Sequence, residues 1–406
     1  MRRINSCEVC GSQKLSDVLN LGLHPLCDDL IAISSDKVSR EFPIEILLCA
    51  DCLTAHQKYQ IPQSELFPKN YNYRSRFTGD VIDGMLQLVK NITKFLPQGL
   101  QNKTVLDIGS NDGSLLRIFQ NFGSVTIGIE PTDAAKDSTN QGHFIYQNYL
   151  DAATVDEILL RFGHPDVITF TNVFAHIEDL ELLLKNLIKL IGPETLLVIE
   201  NHYLGAILCG KQFDTFYHEH PRTYSANSFI PIAQSLQVSI NLIEFPERYG
   251  GNIRVFMSRN FDHYDRKKLE KILKSEKNFP FQFIGLKKMI NNYIEKTSLK
   301  VNELNRIYGP VPAKAFPGRA AILLKLLNIN ENNISVVFEK PGSKKIGKFV
   351  PGTRIPISSD DEFSKIISTV PVIINLAWHI SAEIVDYLRV LGYNGEVIDI
   401  LDPSLF

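Results

Sequence analysis

The segment Val105-Leu106-Asp107-Ile108-Gly109-Ser110-Asn111-Asp112-Gly113-Ser114 constrains the fold of this 406-residue chain more than any other. Residues 104–108 read as a buried strand. They run into a turn with glycines at 109 and 113, and then into a helix over 114–120. The same order repeats downstream, with strands over 124–130, 166–170 and 195–200 and a helix over 180–191. Strands alternating with helices imply a parallel sheet covered on both faces. A second alternation (strands at 334–338, 371–376 and 397–401, with a helix over 382–391) follows a long charged helix over 286–308 and implies a second, smaller α/β unit.

Gly109 and Gly113 allow a sharp turn and the close approach of a ligand. Glu130 ends the next strand, where it faces that ligand and can accept ribose hydroxyl protons. The loop lacks the G-x-G-x-x-G dinucleotide pattern. Asp107 and Asp112 suit a cationic ligand better than a pyrophosphate, which favours S-adenosylmethionine over a nicotinamide dinucleotide or an empty turn. Asn111 and Ser114 belong to the same loop. Thr171-Asn172-Val173-Phe174-Ala175-His176 follows another strand of this sheet, so Asn172 and His176 are expected in one crevice; the alternative is that His176 caps the following helix. Glu200-Asn201-His202-Tyr203 has the same placement and less specificity.

Four of the six cysteines form two pairs, Cys7-x-x-Cys10 and Cys49-x-x-Cys52. Two such knuckles aim four thiolates at one point, a closed structural zinc site rather than a catalytic one. The long stretch between them requires a small insert. Charges nearly balance, 43 basic against 45 acidic residues, so no broad basic field exists for nucleic acid or an anionic membrane. No apolar run follows the basic N-terminus and no window is long enough to span a bilayer. The expectation is a soluble cytoplasmic protein of two or three domains.

Tyr217-His218-Glu219-His220 concentrates groups that move protons near neutral pH. It reads as a metal site, an acid–base centre or a solvated loop. In an extended segment the two histidines share a side and Glu219 lies opposite. No third metal ligand is near, which favours acid–base work. Gly250-Gly251-Asn252-Ile253-Arg254 adds a tight turn and a cation that serves either a phosphate or the framework.

Taken with Tyr71-Asn72-Tyr73-Arg74-Ser75 and the run from Gly347 to Pro356, these motifs span nearly the whole chain. Together they resemble the sugar-nucleotide C-methyltransferases, which place a C3 methyl on deoxysugars. The resemblance implies a zinc-binding domain over 1–70 and a class I S-adenosylmethionine-dependent, Rossmann-like methyltransferase domain over 71–260. A C-terminal Rossmann-like α/β domain over 261–406 would complete the sugar-nucleotide cleft. The implied substrate is a 4-keto-deoxysugar linked to dTDP or another nucleotide, handled by a monomer or homodimer.

By the same resemblance His220 takes the C3 proton, Tyr217 lies by the sugar oxygen, and Glu219 and His176 orient the sugar or hold charge. Tyr71 or Tyr73 closes the site, and Asn201, Arg254, Lys314 and Thr353 are the further substrate contacts. Pro221-Arg222-Thr223-Tyr224 replaces the usual Leu-Ser-Tyr-Phe-like run. Ala313 to Arg319 and Glu339-Lys340 also depart from the family pattern, all at positions expected to contact nucleotide or sugar. The alternatives are an enzyme of the same fold acting on oxygen or nitrogen, and a non-catalytic zinc-module binding protein with a degenerate methyltransferase domain.

Overall fold

The computed structural model describes residues 1–67, 74, 79–96, 98–260 and 266–402. The chain forms two compact units that alternate along the sequence. The first comprises Met1–Asp17, Leu47–Cys209 and Glu219–Pro280, and the second Val18–Ile46, Gly210–His218 and Phe281–Phe406. The expected domain boundary at 70 falls outside the described residues.

The first unit is built on seven strands: β1 (Thr104–Ile108), β2 (Val125–Ile129), β3 (Phe144–Tyr146), β4 (Val167–Thr171), β5 (Leu196–His202), β6 (Ser239–Glu244) and β7 (Asn252–Ser258). Their order is β6-β7-β5-β4-β1-β2-β3. β1 to β5 run parallel, as the alternation of strands and helices predicts. β7 is antiparallel to both β5 and β6, a departure from an all-parallel sheet.

Side chains along each strand alternate between two cores. Leu106, Ile108, Ile168, Phe170, Leu197 and Ile199 face the helices at 152–162, 180–190 and 229–236. Val105, Val167, Leu196 and Val198 face Val81, Met85, Leu88, Val89 and Ile92 of the helix at 79–93. The interiors of β1, β4, β5 and β7 are buried on both sides, which explains their near-continuous apolar runs in the sequence.

The chain leaves β1 toward β2 and β3, then returns to place β4 on the other side of β1. That reversal opens a crevice between the carboxyl ends of β1 and β4, the position where open α/β sheets bind ligands. The cysteine segment belongs to the same unit. Its short strand Ala55–Gln57 pairs antiparallel with Arg222–Thr223, with His56 opposite Arg222.

The second unit holds five parallel strands, β8 (Val311–Lys314), β9 (Ile334–Glu339), β10 (Ile357–Ser359), β11 (Val372–Asn375) and β12 (Glu396–Asp399), in the order β10-β9-β8-β11-β12. The long helix spans Phe279–Tyr308, starting seven residues before the expected 286. Pro280 in its first turn is compatible with a helix start because the missing N–H has no intrahelical partner there.

Glu200 at the end of β5 organises the edge of the first sheet. Its Oε2 accepts from Arg254 Nε at 2.6 Å, and its Oε1 accepts from Arg248 Nε at 2.6 Å and Asn252 Nδ2 at 2.8 Å. Arg254 also pairs with Glu244, and Arg248 donates to the Val81 carbonyl of the covering helix. A Cβ on Gly84 of that helix would stand 2.4 Å from Arg248 Nη1, so the glycine makes room for the guanidinium. Burial alone would raise the Glu200 pKa, but Arg248 and Arg254 overcome it and hold the carboxyl below its ordinary 4.5. The ion-pair contribution is therefore present above that value and fades as pH falls through the depressed pKa.

Glu200→Ala removes the buried carboxylate that Arg248 and Arg254 share and should destabilise the protein by about 3–5 kcal/mol. Urea unfolding at neutral pH checks this, and the gap between variant and wild type should narrow in acid. A loss no larger than that of a surface substitution would show that solvent reaches the arginines.

Candidate active site and metal centre

The four cysteine Sγ atoms all lie within 4.8 Å of one another. Cys7 and Cys52 are 3.5 Å apart, and Cys10 and Cys49 3.6 Å. A zinc tetrahedron with bonds of about 2.3 Å has edges of about 3.8 Å, so these thiols fit the ion without rearrangement. Each knuckle closes through a left-handed residue after its second cysteine, Gly11 at φ 75° and Leu53 at φ 54°. His56 Nε2 lies 3.3 Å from Cys7 Sγ, a second-sphere contact that the sequence reading did not single out.

This metal centre is tied to the segment after His220. Glu8, next to Cys7, accepts from the Arg222 guanidinium at 2.5 Å and is also paired with Arg2. Arg222 is fully buried and donates from Nε to the Tyr224 hydroxyl at 3.2 Å. Gln57 N donates to the Pro221 carbonyl, Ser225 Oγ to the Cys52 carbonyl, and Thr54 Oγ1 to Ser228 Oγ. Arg222, a departure expected to mark a substrate contact, is instead a framework cation. A buried guanidinium must be paired, and its partner lies beside a zinc ligand.

At the crevice, Gly109 has φ 76°, and a Cβ there would collide with Val173 at 2.4 Å. The loop after β1 and the loop after β4 therefore touch, and only glycine fits between them. Gly113 caps the following helix in the left-handed region at φ 79°. Asp112 accepts from the Ser114 hydroxyl at 2.6 Å. Glu130 follows β2; its Oε2 accepts from Asn111 N, and its Oε1 from the amide and hydroxyl of Thr132. Ser110 Oγ is buried with no hydrogen-bond partner among the described residues. These groups suit the ribose and amino-acid ends of S-adenosylmethionine.

Asp107 is buried on β1 and accepts from Thr169 Oγ1 at 2.7 Å. Burial pushes its pKa up to about 7, opposed by the Thr169 hydroxyl and reinforced by the Glu130 charge.

Asn172 sits at φ 53°, its N–H donating to the Glu200 carbonyl and its Oδ1 accepting from Asn252 Nδ2 at 3.2 Å. The Glu200 network thus fixes a strained residue at the crevice. Asn201 is buried. The Ala175 N–H donates to its Oδ1 at 3.3 Å, which identifies the oxygen end of the amide and leaves Nδ2 without a hydrogen-bond partner among the described residues.

His176 lies in a one-turn helix, Phe174–His176; the helix that follows is capped by Asp179 instead. Its Nδ1 stands 2.6 Å from the Glu219 carbonyl. A carbonyl only accepts, so Nδ1 carries the proton and Nε2 keeps its lone pair. Burial lowers the His176 pKa despite that bond, so the ring is neutral near pH 7. The His220 ring lies between His176, at 4.9 Å between centroids, and His202, at 5.0 Å. Three imidazoles from the β4 loop, the end of β5 and the tetrad meet in the first unit. His202 was visible only as part of a less specific motif, because its pairing with His220 is created by folding.

The tetrad is not extended. A turn at 218–219 separates its histidines, contrary to the extended-segment premise. Tyr217 and His218 belong to the second unit, Glu219 and His220 to the first. His218 Nε2 is 3.1 Å from the Phe42 carbonyl, and burial lowers its pKa to about 4. It is a neutral framework histidine.

Other expected substrate contacts have framework partners. Arg254 is buried between Glu200 and Glu244, the structural alternative of the two left open by its sequence context. Lys314 Nζ is buried against both carboxylate oxygens of Asp360, at 2.6 and 2.7 Å. Thr353 closes a turn by donating to the Val350 carbonyl. A phosphate at Arg254 or Lys314 would have to displace those carboxylates. Tyr71 and Tyr73 lie outside the described residues; Arg74 of that motif pairs with Asp137 at 2.8 Å.

In the second unit the strand order reverses between β8 and β11. Arg319, after β8, lies over the Trp378 ring after β11 at 5.4 Å, and Trp378 Nε1 donates to Asp214 at 3.0 Å.

The fold and site define a methyltransferase with a structural zinc module. Comparison with family models agrees: residues 7–67 match "Putative zinc binding domain", 83–240 "Methyltransferase domain" and 247–399 "C-methyltransferase C-terminal domain". The chain is 26% identical over 415 residues to C-methyltransferase NovU of Streptomyces niveus, covering 100% of this chain and 97% of that protein. Among solved structures, magnesium protoporphyrin IX methyltransferase from Synechocystis with bound S-adenosylmethionine is 14% identical, covers 44% of this chain and 81% of its own, and has a TM-score of 0.33. The PH0226 protein of Pyrococcus horikoshii is 10% identical, covers 48% and 97%, and has a TM-score of 0.35. These matches support an S-adenosylmethionine-dependent C-methyltransferase with a zinc-binding module.

Metal analysis should find one zinc per chain, and Cys10→Ser and Cys52→Ser should lose it. Arg222→Ala removes no thiol. It should retain zinc while destabilising the protein by about 1–3 kcal/mol, because Glu8 loses its buried partner but keeps Arg2 and Gln60. Zinc loss in Arg222→Ala would mean that the ion pair holds the knuckles together, rather than the reverse.

Proposed function

We propose that the protein methylates C3 of a nucleotide-linked 4-keto-deoxysugar, with His220 as the base. The observation that carries the reading is the His220 ring, buried beside His176 and His202, on loops that flank the cofactor crevice. The adjacent ketone makes the C3 proton acidic enough for an imidazole, whose pKa is matched to proton abstraction near neutrality. The bound cofactor supplies an electrophilic methyl group.

The chain's own residues do the rest. His220 takes the proton, and the electron pair it leaves is delocalised onto the ketone oxygen. Asn201 Nδ2 offers a donor for that oxygen, its orientation set by the Ala175 amide. His176 presents Nε2 as an acceptor to the sugar and stays neutral, so it does not oppose the positive charge forming on His220. Tyr217 and Glu219 orient the sugar, with Tyr71 or Tyr73 closing over it. The run of motifs shared with sugar-nucleotide C-methyltransferases supports the substrate class, and the three-part division at 70 and 260 goes with it.

The test incubates the protein with methyl-labelled S-adenosylmethionine and a panel of nucleotide-linked 4-keto sugars in deuterated buffer. Mass spectrometry should place the label on C3 of one of them, with deuterium entering C3 when the donor is omitted. His220→Ala should lower both by about 10²–10⁴-fold. Label on oxygen or nitrogen, or full transfer by His220→Ala, would overturn the proposal.

A further inference from the structure

We propose that Asp107 discriminates the methyl donor from its spent form by charge, standing ionised with S-adenosylmethionine bound and protonated with S-adenosylhomocysteine bound. Asp107 is the fourth residue of β1, one step short of the carboxyl end that opens on the crevice, and is only 3% exposed. Its register partners are Thr169 on β4 and Gly128 on β2, so its side chain shares their face of the sheet. Gly128 leaves space there: a Cβ on it would stand 2.5 Å from Ser110 Oγ. Thr171, two residues beyond Thr169, lies on the same face. Ser110 Oγ and Thr171 Oγ1 are both buried without a hydrogen-bond partner among the described residues. Two orphaned hydroxyls beside a carboxyl mark a floor built for a polar ligand.

The free charge around this floor has one sign. Thr169 gives Asp107 a hydroxyl bond, and Glu130 adds a like charge from the end of β2. Asp112 of the glycine turn is acidic as well. The helices packed on this face present apolar side chains to it, among them Val81, Met85 and Phe119. Glu200 stands in register with Thr171, and its two arginines lie on the far side of β4, paired with Glu200 and Glu244. With no cation against it, the Asp107 carboxyl keeps its proton up to about pH 7.

S-adenosylmethionine carries a sulfonium and an ammonium against one carboxylate; S-adenosylhomocysteine lacks the sulfonium and is neutral overall. Asp107 therefore gives its proton to water as the donor binds. It takes one back from water once methyl transfer has turned the sulfonium into a thioether. The donor binds the ionised form, so its affinity is lost as pH falls through the free-protein pKa, while that of the spent cofactor is not. The spent cofactor leaves in preference.

Calorimetry of the full-length protein in two buffers of different ionisation heat counts the protons. At pH 6 S-adenosylmethionine should release about 0.9 proton more than S-adenosylhomocysteine, and its affinity should rise about fivefold between pH 6 and 7 while the other stays level. The amino group common to both ligands cancels in the comparison. Asp107→Asn keeps an oxygen for the Thr169 hydroxyl. It should abolish the proton difference and narrow the donor-over-product affinity ratio by about tenfold. Thr169→Val removes the bond that favours the ionised carboxylate and should extend proton release to pH 8, which decides the matter should the asparagine variant fold poorly. Equal proton release by the two ligands on wild type overturns the proposal, as does a difference that survives Asp107→Asn or a release profile that Thr169→Val leaves in place. Binding of neither ligand would overturn the cofactor reading with it.

Discussion

The buried pair of Glu8 and Arg222 is the interaction on which the active-site geometry depends. It joins residues 214 apart in sequence, one beside a zinc ligand and the other two positions after the proposed base. A fully buried guanidinium without a partner is strongly destabilising, so Arg222 can be where it is only if Glu8 is there too. Burial alone would raise the Glu8 pKa, but contact with His56 and the Arg222 charge hold it well below the carboxylate range, so the pair is ionised throughout neutral pH. Strand pairing of 55–57 with 222–223 adds direction to the link. The zinc module thus serves as a rigid anchor for the segment that presents His220.

Glu200 plays the corresponding part on the cofactor side. Its carboxylate binds Asn252, and Asn252 binds Asn172, whose backbone is held in the left-handed region where the β4 loop meets the Gly109 turn. Strain at Asn172 persists because ion pairs one and two residues away over-determine it. The two networks share a logic. In each, a buried arginine–glutamate pair removes freedom from a loop that must hold one conformation.

The parallel sheet, the glycine turn and the four-thiol cluster were legible because local periodicity and spacing encode them. Residues 104–108 are apolar on both faces, and the knuckles bring their own turns. The antiparallel β6–β7 pair was not legible, since strand direction is set by partners distant in sequence. Arg254 and Lys314 were open to misreading for a related reason: a cation on a strand looks the same whether it meets a phosphate or a carboxylate. Glu244 and Asp360 become their partners only in the folded chain. His202 needed the fold as well, because its neighbour His220 comes from a segment 18 residues on and from beyond a turn.

That turn also explains why Tyr217-His218-Glu219-His220 does not act as one group. The chain passes from the second unit to the first between His218 and Glu219, so each half takes its environment from a different core. His218 is spent on the Phe42 carbonyl and kept neutral by burial. Glu219 contributes through its backbone: its carbonyl holds the Nδ1 proton of His176 and thereby selects the tautomer that exposes Nε2. The peptide preceding the proposed base therefore sets the tautomer of its neighbour. A substitution that reshapes this turn must disturb both imidazoles together, because one is positioned by the residue and the other by the bond before it.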